Sequence, residues 1–547
     1  MYVQSLPPGA AFDFIVCGAG SAGCALAARL SEDGRHQVLL VEAGGRDKNI
    51  NIRVPLLVVN LLNDPDVTWP FVTEPQVHLN GKPQRWTRGR VIGGSGAING
   101  NLFARGDPIE YDNWRDNLGC AGWGYQEMLP VLKRLEDFPE GDPAFRGRGG
   151  PIHCTRLDDF DPLSGAFLDA CGEAGYRRLH DPNDGSYEGA FYLQYSTRRG
   201  LRDNTAAAYL RPASRRPNLT ILTHAHAVRV LFDGRRARGL EVLLGGERRE
   251  IQARREVLLS AGPLASPKLL ELSGVGQASV LQSHGIEVVH PLAGVGENLR
   301  DHPNTRLTFE CAQPITINDV LLNPMMKLRE GLKFIFQRKG MLTISSSTAQ
   351  MNYRSSPQAS QADLVLRLQP LSGGDRYART PGSGMDMFPG FTFGITPLQP
   401  KSIGTVHIRS TDPLDQARMD PCYLSHEDDA RLFVRGMRVG REVASRAALK
   451  PFMVRETRPG PGVVNDADML AYVRETLQTS WHMVGTCKMG VDDAAVVDPQ
   501  LRVRGLEGLR VIDSSICPTL PSSGTNIPTI AIAEKGAQMV LEAHARH

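Results

Sequence analysis

Two polar residues near the C-terminal end of the chain are of types that can manage the proton of an alcohol. His482 stands in Trp481-His482-Met483-Val484-Gly485-Thr486. Its unperturbed pKa of about 6.5 leaves an imidazole mostly neutral at neutral pH, yet basic. Asn526 follows forty-four positions later, in Ser523-Gly524-Thr525-Asn526-Ile527-Pro528. Its amide can both donate to and accept from an alkoxide-like oxygen. Oxidising an alcohol to a carbonyl removes the hydroxyl proton and a hydride from the adjacent carbon. A base must therefore stand about 3 Å from the hydroxyl, and a hydride acceptor beside the carbon. Each residue also has a blander use, His482 as a core histidine satisfied by the backbone and Asn526 as a turn former in the turn-rich 522–528 stretch.

The acceptor is signalled at the opposite end. Asp13-Phe14-Ile15-Val16-Cys17 reads as a short buried strand, then comes Gly18-Ala19-Gly20-Ser21-Ala22-Gly23, then a helical run from Cys24 to Leu30. In that context Gly18 permits the tight turn, Gly20 lets a pyrophosphate approach the backbone and Gly23 lets helix pack on strand. The unpaired N–H groups of the helix start favour the phosphates. A second strand, Gln37 to Val41, runs into Glu42 and Ala43, with Glu42 nineteen residues after Gly23. That is the expected place for a carboxylate on the ribose hydroxyls. The fingerprint fits NAD and FAD equally, and residues 18 and 482 must meet in one site.

A second glycine-rich stretch, Arg88-Gly89-Arg90-Val91-Ile92-Gly93-Gly94-Ser95-Gly96-Ala97-Ile98-Asn99-Gly100, is too long for a hairpin. Taken with Trp69-Pro70-Phe71-Val72-Thr73-Glu74-Pro75-Gln76 before it, it resembles the glucose-methanol-choline family of FAD-dependent oxidoreductases. Residues 262–276, 294–303, 481–490 and 509–518 extend the resemblance, in the family's order, nearly end to end.

The resemblance implies a Rossmann-like α/β FAD-binding domain and an α+β substrate domain built on an antiparallel sheet flanked by helices. It implies oxidation of a primary alcohol to an aldehyde, with onward oxidation to the acid left open, with His482 as base, hydride transfer to flavin N5, and electrons passing to a quinone or to O2. Asn526 falls where the family has His or Asn, and both dehydrogenases and oxidases use Asn there. Cofactor contacts are implied for Gly18, Gly20, Ser21, Ala22, Gly23, Glu42 and Ala43. Trp69 is placed on the adenine side, and Ala227 offers it backbone groups. Arg90, Val91, Gly94, Ser95, Asn99 and Gly100 lie beside the isoalloxazine and pyrophosphate. Asp513 and Ser514 face the pyrophosphate or ribityl chain, and backbone N–H groups near Ile527 stabilise the reduced flavin. Ile98 stands where covalently flavinylated relatives have histidine, so FAD is expected to be non-covalent. Ala207 replaces an arginine common in the family. Two other readings stay open: a cyanohydrin-cleaving lyase that keeps FAD structurally, and a silent flavoprotein.

The expected division is a discontinuous FAD-binding domain over 1–155, 200–310 and 460–547, and a substrate-binding domain over 156–199 and 311–459. In the first, strands are expected at 218–223, 227–232 and from 256 into Gly262. In the second, Gly373 to Gly390 reads as a mobile loop, either a lid or a surface excursion. The apolar stretch Val54 to Leu62 is either a packed cover over the cofactor or a lipid-facing patch.

The 547 residues carry a net charge of only +3, and the arginine pairs are scattered, which argues against a nucleic-acid partner. Nine cysteines without a Cys-x-x-Cys pair signal neither zinc nor a disulfide framework, and no other metal site is indicated. Cys17, Cys24 and Cys171 read as buried thiols. No signal peptide or membrane span is evident, so cytoplasmic residence is the expectation, with peripheral contact to an inner membrane kept open. Trp481 and the apolar 54–62 segment favour an aliphatic or aromatic alcohol over a charged one, and no aromatic cage and carboxylate for choline can be placed. The oligomeric state is not legible.

Overall fold

The first apolar run folds as the strand Ala11–Cys17, which lies between Val38–Val41 and Glu247–Leu259 and parallel to both. In the computed structural model, which describes residues 1–157, 160–374 and 384–545, these strands belong to an eight-stranded sheet. Leu219–Leu222 and Tyr2–Val3 continue its parallel part. Near-continuous Val, Ile and Leu suits strands covered on both faces. Glu247–Leu259 is long enough to serve further partners. Its first half pairs antiparallel with Arg236–Leu244, which Ala225–Asp233 follows, while Val257–Leu259 pairs parallel with Leu509–Val511.

This last pairing brings the chain ends together. Cys17, Val41, Leu259 and Val511 finish in register, and ligands of such sheets bind beyond the carboxyl ends of the strands. Helix Ser21–Leu30, rich in Ala, packs against the terminal helix Asn526–His544. The two are tied through Glu534, whose buried carboxylate pairs with Arg29 at 2.9 Å and Arg134 at 3.1 Å and accepts the Tyr209 hydroxyl at 2.6 Å. A buried carboxylate so compensated is tolerated where a lone one would not be.

The middle of the chain builds a second, seven-stranded antiparallel sheet, as expected of a substrate domain. Its order is Met453–Arg458, Pro303–Cys311, Gly390–Pro397, Leu364–Gln369, Ala349–Tyr353, Gly189–Tyr192, with Gln478–Thr479 paired to Pro303 and Asn304. Helices Glu427–Ala444 and Pro162–Glu173 pack on it and on each other. A Cβ on Gly436 would stand 2.4 Å from Ile395, so glycine permits the close approach of helix to sheet. Two segments straddle the expected boundaries. Pro303–Cys311 already belongs to this sheet, whereas Gln194–Arg198 joins Ile152–Arg156 in a separate four-stranded one.

Pro55–Leu61 forms a 3-10 helix whose Val58 and Leu61 pack with Val91, Ala97 and Ile98. The apolar stretch is thus a packed cover, not a lipid-facing patch. Of the expected loop 373–390, residues 375–383 lie outside the described residues. Cys17, Cys24 and Cys171 are buried thiols. Among the described residues, no helix is long and apolar enough to cross a membrane.

Candidate active site

The ends of the parallel strands open onto a cavity of about 380 Å³ lined by residues from both sheets. At one end stand Gly18, Gly20, Ser21 and Ala22, then Glu42 and Ala43. Gly18 has φ +99°, and a Cβ there would lie 2.6 Å from Ser260 O, so only glycine makes the turn. A Cβ on Gly20 meets nothing within 4 Å, which leaves the backbone open to the cavity. Gly23 does not line the cavity. It lets the helix sit on the strand, since its Cβ would fall 1.8 Å from Gly18 O. The helix begins at Gly20 without a side-chain cap, so its first N–H groups are left for an anion. Glu42 accepts from the N–H groups of Ala19 (2.9 Å) and Gly44 (2.8 Å). Burial pushes its pKa up against the pull of those donors.

The second glycine-rich stretch closes over the first. A Cβ on Gly94 would stand 2.6 Å from Gly20 Cα, so the two loops touch backbone to backbone. Ser95, Asn99 and Gly100 line the cavity, and Ser95 Oγ accepts Gly89 N–H at 3.1 Å. Buried Arg202 organises the loop by donating to Ile52 O, Gly96 O and both oxygens of Asn99. Arg90 stacks over Trp69, 4.6 Å from the ring centroid, and Val91 is buried against Gly45; neither lines the cavity. Trp69 does, stacked on Phe71 at 5.9 Å. Ala227 lines it where the strand ladder skips between Ala227 and Arg229, a bulge that releases backbone groups.

Asp513 and Ser514 also line the cavity, but the Asp513 carboxylate is engaged locally. Oδ2 accepts Gly262 N–H (2.8 Å) and Ser266 Oγ–H (2.6 Å), and Oδ1 accepts Ser515 N–H (2.8 Å). Asn526 opens the terminal helix, with Oδ1 accepting the Ser21 hydroxyl at 2.7 Å. Ile527 is buried behind it and is not exposed to the cavity. Ala207 sits in a π-turn, and nothing in the structure explains its replacing an arginine.

At the other end is His482. The pairing of Gln478–Thr479 with the start of Pro303–Cys311 brings residues 480–482 against Asp301 and His302. Trp481 takes φ +60°, which is costly for a bulky residue. It is held there by its N–H on Thr479 Oγ1 (2.7 Å) and its carbonyl on Arg88 (3.1 Å). Asp301 is buried; it accepts His482 N–H at 2.7 Å and the hydroxyls of Thr479 and Tyr423. Burial raises its pKa. His302 Nδ1 lies 2.9 Å from His482 Nδ1, and His302 Nε2 lies 2.8 Å from Leu398 O. A carbonyl only accepts, so His302 Nε2 carries the proton. Burial pushes His302 down to about 4, leaving it neutral with an acceptor at Nδ1. His482 Nδ1–H must donate to it, and the His482 lone pair is on Nε2. That atom faces Gly524, whose Cβ would stand 3.5 Å away.

His482, Asn526 and most of the expected cofactor-contact residues therefore surround one cavity, while Gly23, Arg90, Val91 and Ile527 support it from behind. Sequence reasoning missed Arg88, Asp301, His302, Arg202 and Arg367. Arg88, Asp301 and His302 stood in quoted motifs, and Arg202 and Arg367 had no local signal.

Sheet, cradle and oriented histidine describe a nucleotide-dependent oxidoreductase. Family models described as GMC oxidoreductase match residues 12–304 and 400–533. The chain belongs to the GMC oxidoreductase family, flavin-dependent enzymes acting on CH–OH donors. It is 38% identical to an alcohol dehydrogenase [acceptor] of Pseudomonas putida, covering 97% of this chain and 96% of that one. It is 37% identical to an oxygen-dependent choline dehydrogenase of Photobacterium profundum, over 97% and 93%. The solved pyridoxine 4-oxidase from Mesorbium loti superposes with a TM-score of 0.87 at 31% identity, over 98% and 99%.

Proposed function

We propose that this chain oxidises a primary alcohol to its aldehyde with FAD as cofactor and His482 as base. One observation carries the reading: an imidazole with its lone pair on Nε2 shares a cavity with an uncapped, glycine-lined anion cradle. The names of the relatives, alcohol and choline dehydrogenases and a pyridoxine oxidase, support the substrate class.

The residues present fit FAD. The open backbone at Gly20 and the helix start suit a pyrophosphate, Glu42 suits ribose hydroxyls, and Gly94 leaves no side chain between the two loops. When bound, FAD supplies the hydride acceptor. His482 Nε2 takes the hydroxyl proton. The buried Asp301 fixes the backbone of His482, and His302 accepts its Nδ1–H, so the ring does not turn as it charges. Asn526, anchored on Ser21, presents its amide to the substrate oxygen. Ile98, which lines the cavity with a side chain that cannot form a bond to flavin, supports non-covalent FAD.

The experiment is anaerobic. Acid should release yellow FAD from the purified protein, and an alcohol should bleach the bound flavin. Recovery on admitting air, with peroxide, identifies an oxidase; recovery only with a quinone identifies a dehydrogenase. Turnover of a cyanohydrin without any bleaching would overturn the reading in favour of a lyase.

A specific surface favours a quinone drawn from a membrane. Helix Pro324–Gln337 exposes Met325, Leu328, Leu332, Ile335 and Phe336 at helical spacing. Lys327, Arg329, Lys333, Arg338 and Lys339 border this stripe and are exposed. Apolar residues bordered by cations match an anionic lipid surface. The following turn, Met341–Thr343, packs on Pro55–Leu61, and Ser346 and Ser347 beyond it line the cavity. The protein should float with phosphatidylglycerol vesicles and not with phosphatidylcholine ones, and a Leu332→Ser/Phe336→Ser variant should not float. A dimer in solution that this variant dissociates, without vesicle binding, would overturn the assignment.

A further inference from the structure

Arg367 lies in strand Leu364–Gln369 and lines both the main cavity and a smaller one on the other side of His482. Its Nε–H donates to Gln350 Oε1 at 2.7 Å. Gln350 donates in turn to Asn352 Oδ1 at 2.6 Å, so the neighbouring strand fixes the guanidinium. The ionisable groups beside it are two phenols, Tyr195 and Tyr187, which burial holds in their neutral form. Both hydroxyls are already committed, Tyr195 to Ser347 O at 2.6 Å and Tyr187 to Ser522 O. Among the described residues no carboxylate pairs with Arg367, and burial pulls its pKa down.

Three of the buried arginines show what compensation looks like. Arg146 pairs with Glu136 and Asp181, Arg510 pairs with Glu256, and Arg202 has four oxygen acceptors. At Arg367 only Nε is used by the protein. The two terminal nitrogens, which form half of the fork that matches a carboxylate, are left to the cavity. A buried cation without a counter-ion is expensive, and a ligand that brings the anion removes the cost. The pyrophosphate does not answer, because its cradle is at the fingerprint end. Arg367 stands on the His482 side, near enough to His302 to depress the His302 pKa electrostatically.

We propose that Arg367 binds a carboxylate, and that the alcohol oxidised at His482 carries a carboxylate at its far end. The inference rests on the alcohol-oxidising reading above and departs from the uncharged substrate expected from sequence. It also disfavours choline, whose quaternary ammonium would face a like charge.

The test uses the holoenzyme with 4-(hydroxymethyl)benzoate and its methyl ester, and benzoate or benzamide as inhibitors. The wild type should prefer the carboxylate over the ester. Arg367→Gln should lower that preference, as a ratio of kcat/KM, about a hundred-fold, mostly through KM. Arg367→Lys should restore part of it. Benzoate should inhibit the wild type competitively and benzamide weakly, with the difference lost in Arg367→Gln. A wild type that prefers the ester and binds benzoate no better than benzamide would overturn the assignment. So would an Arg367→Gln variant that slows both substrates equally with a shifted pH profile, because that is the signature of a cation tuning the histidine pair. Failure of every alcohol, charged or neutral, to bleach the flavin would instead overturn the alcohol-oxidising reading itself. Should Arg367→Gln lose FAD, the wild-type inhibition pair and Arg367→Lys still decide.

Discussion

His302 and His482 face each other Nδ1 to Nδ1 at 2.9 Å, with their rings nearly perpendicular at 88°. In many acid–base sites the group behind the histidine is a carboxylate, which orients the ring and also stabilises its cation. Here the orienting group is a neutral imidazole, and the carboxylate, Asp301, holds the backbone of His482 instead. Orientation of the ring and anchoring of the backbone are thereby separated: His302 fixes which nitrogen is the base, and Asp301 holds the His482 main chain.

This arrangement makes His302 a positioning residue whose loss can be recognised. His302→Leu removes the acceptor for His482 Nδ1–H, and the other tautomer becomes accessible. The rate of flavin reduction by alcohol should fall about ten- to hundred-fold, within the range that mispositioned acid–base groups cost. His302→Asn, whose amide oxygen can accept, should recover part of the loss. Equal rates for the Leu and Asn variants across the pH range would sink the tautomer argument.

The same residue gives folding a pH dependence. His302 is pushed down to about 4 in the folded protein, against about 6.5 unfolded. Between those values the unfolded chain binds the extra proton, so stability is complete above pH 6.5 and falls as the pH drops towards 4. The slope from this group is about 1.4 kcal/mol per pH unit. Urea melts at several pH values should resolve this slope in the wild type, and His302→Asn should flatten it.

His482→Ala removes the proposed base while leaving the distant glycine cradle intact. Flavin reduction should slow by about 10²- to 10⁴-fold, and the FAD content should be unchanged. Normal turnover by the FAD-loaded variant would end the assignment of His482 as base.

How much of this was legible in the sequence follows from the range of each interaction. The strand–Gly18–Gly20–Gly23–helix unit and Glu42 could be read because turn, helix start and carboxylate lie within one local stretch. The alternation of middle strands and helices also follows from local pattern, while the second sheet draws Pro303–Cys311 and Gln478–Thr479 from beyond the middle segment. His302 could not be assigned a role, because it meets His482 only when residues 478–479 pair with 303–304. The three arginines are a different case. Arg202 and Arg367 look like any surface arginine in sequence, and Arg88 stood in the glycine-rich stretch without a role of its own; desolvation alone separates the three. Burial pulls Arg88 down to about 10 and Arg202 to about 9. The apolar stretch at 54–62 shows the reverse ambiguity: the same residues read as cover or as membrane patch, and packing against Val91 and Ile98 makes them cover.

The contact between the two glycine loops yields the sharpest test of the cofactor cradle. Gly94 has φ +52°, and a Cβ on it would come within 2.6 Å of the Gly20 backbone. No flexible side chain is there to yield, so Gly94→Ala must separate the loops. The sheet lies outside this contact, so the fold should survive while FAD binding is lost or greatly weakened. Gly172→Ala, in helix Pro162–Glu173 and away from the cavity, is the control: a Cβ there meets nothing within 4 Å. Equilibrium dialysis with FAD, alongside circular dichroism, distinguishes the two. If Gly94→Ala bound FAD as tightly as Gly172→Ala, the junction of the loops would not be the cofactor cradle.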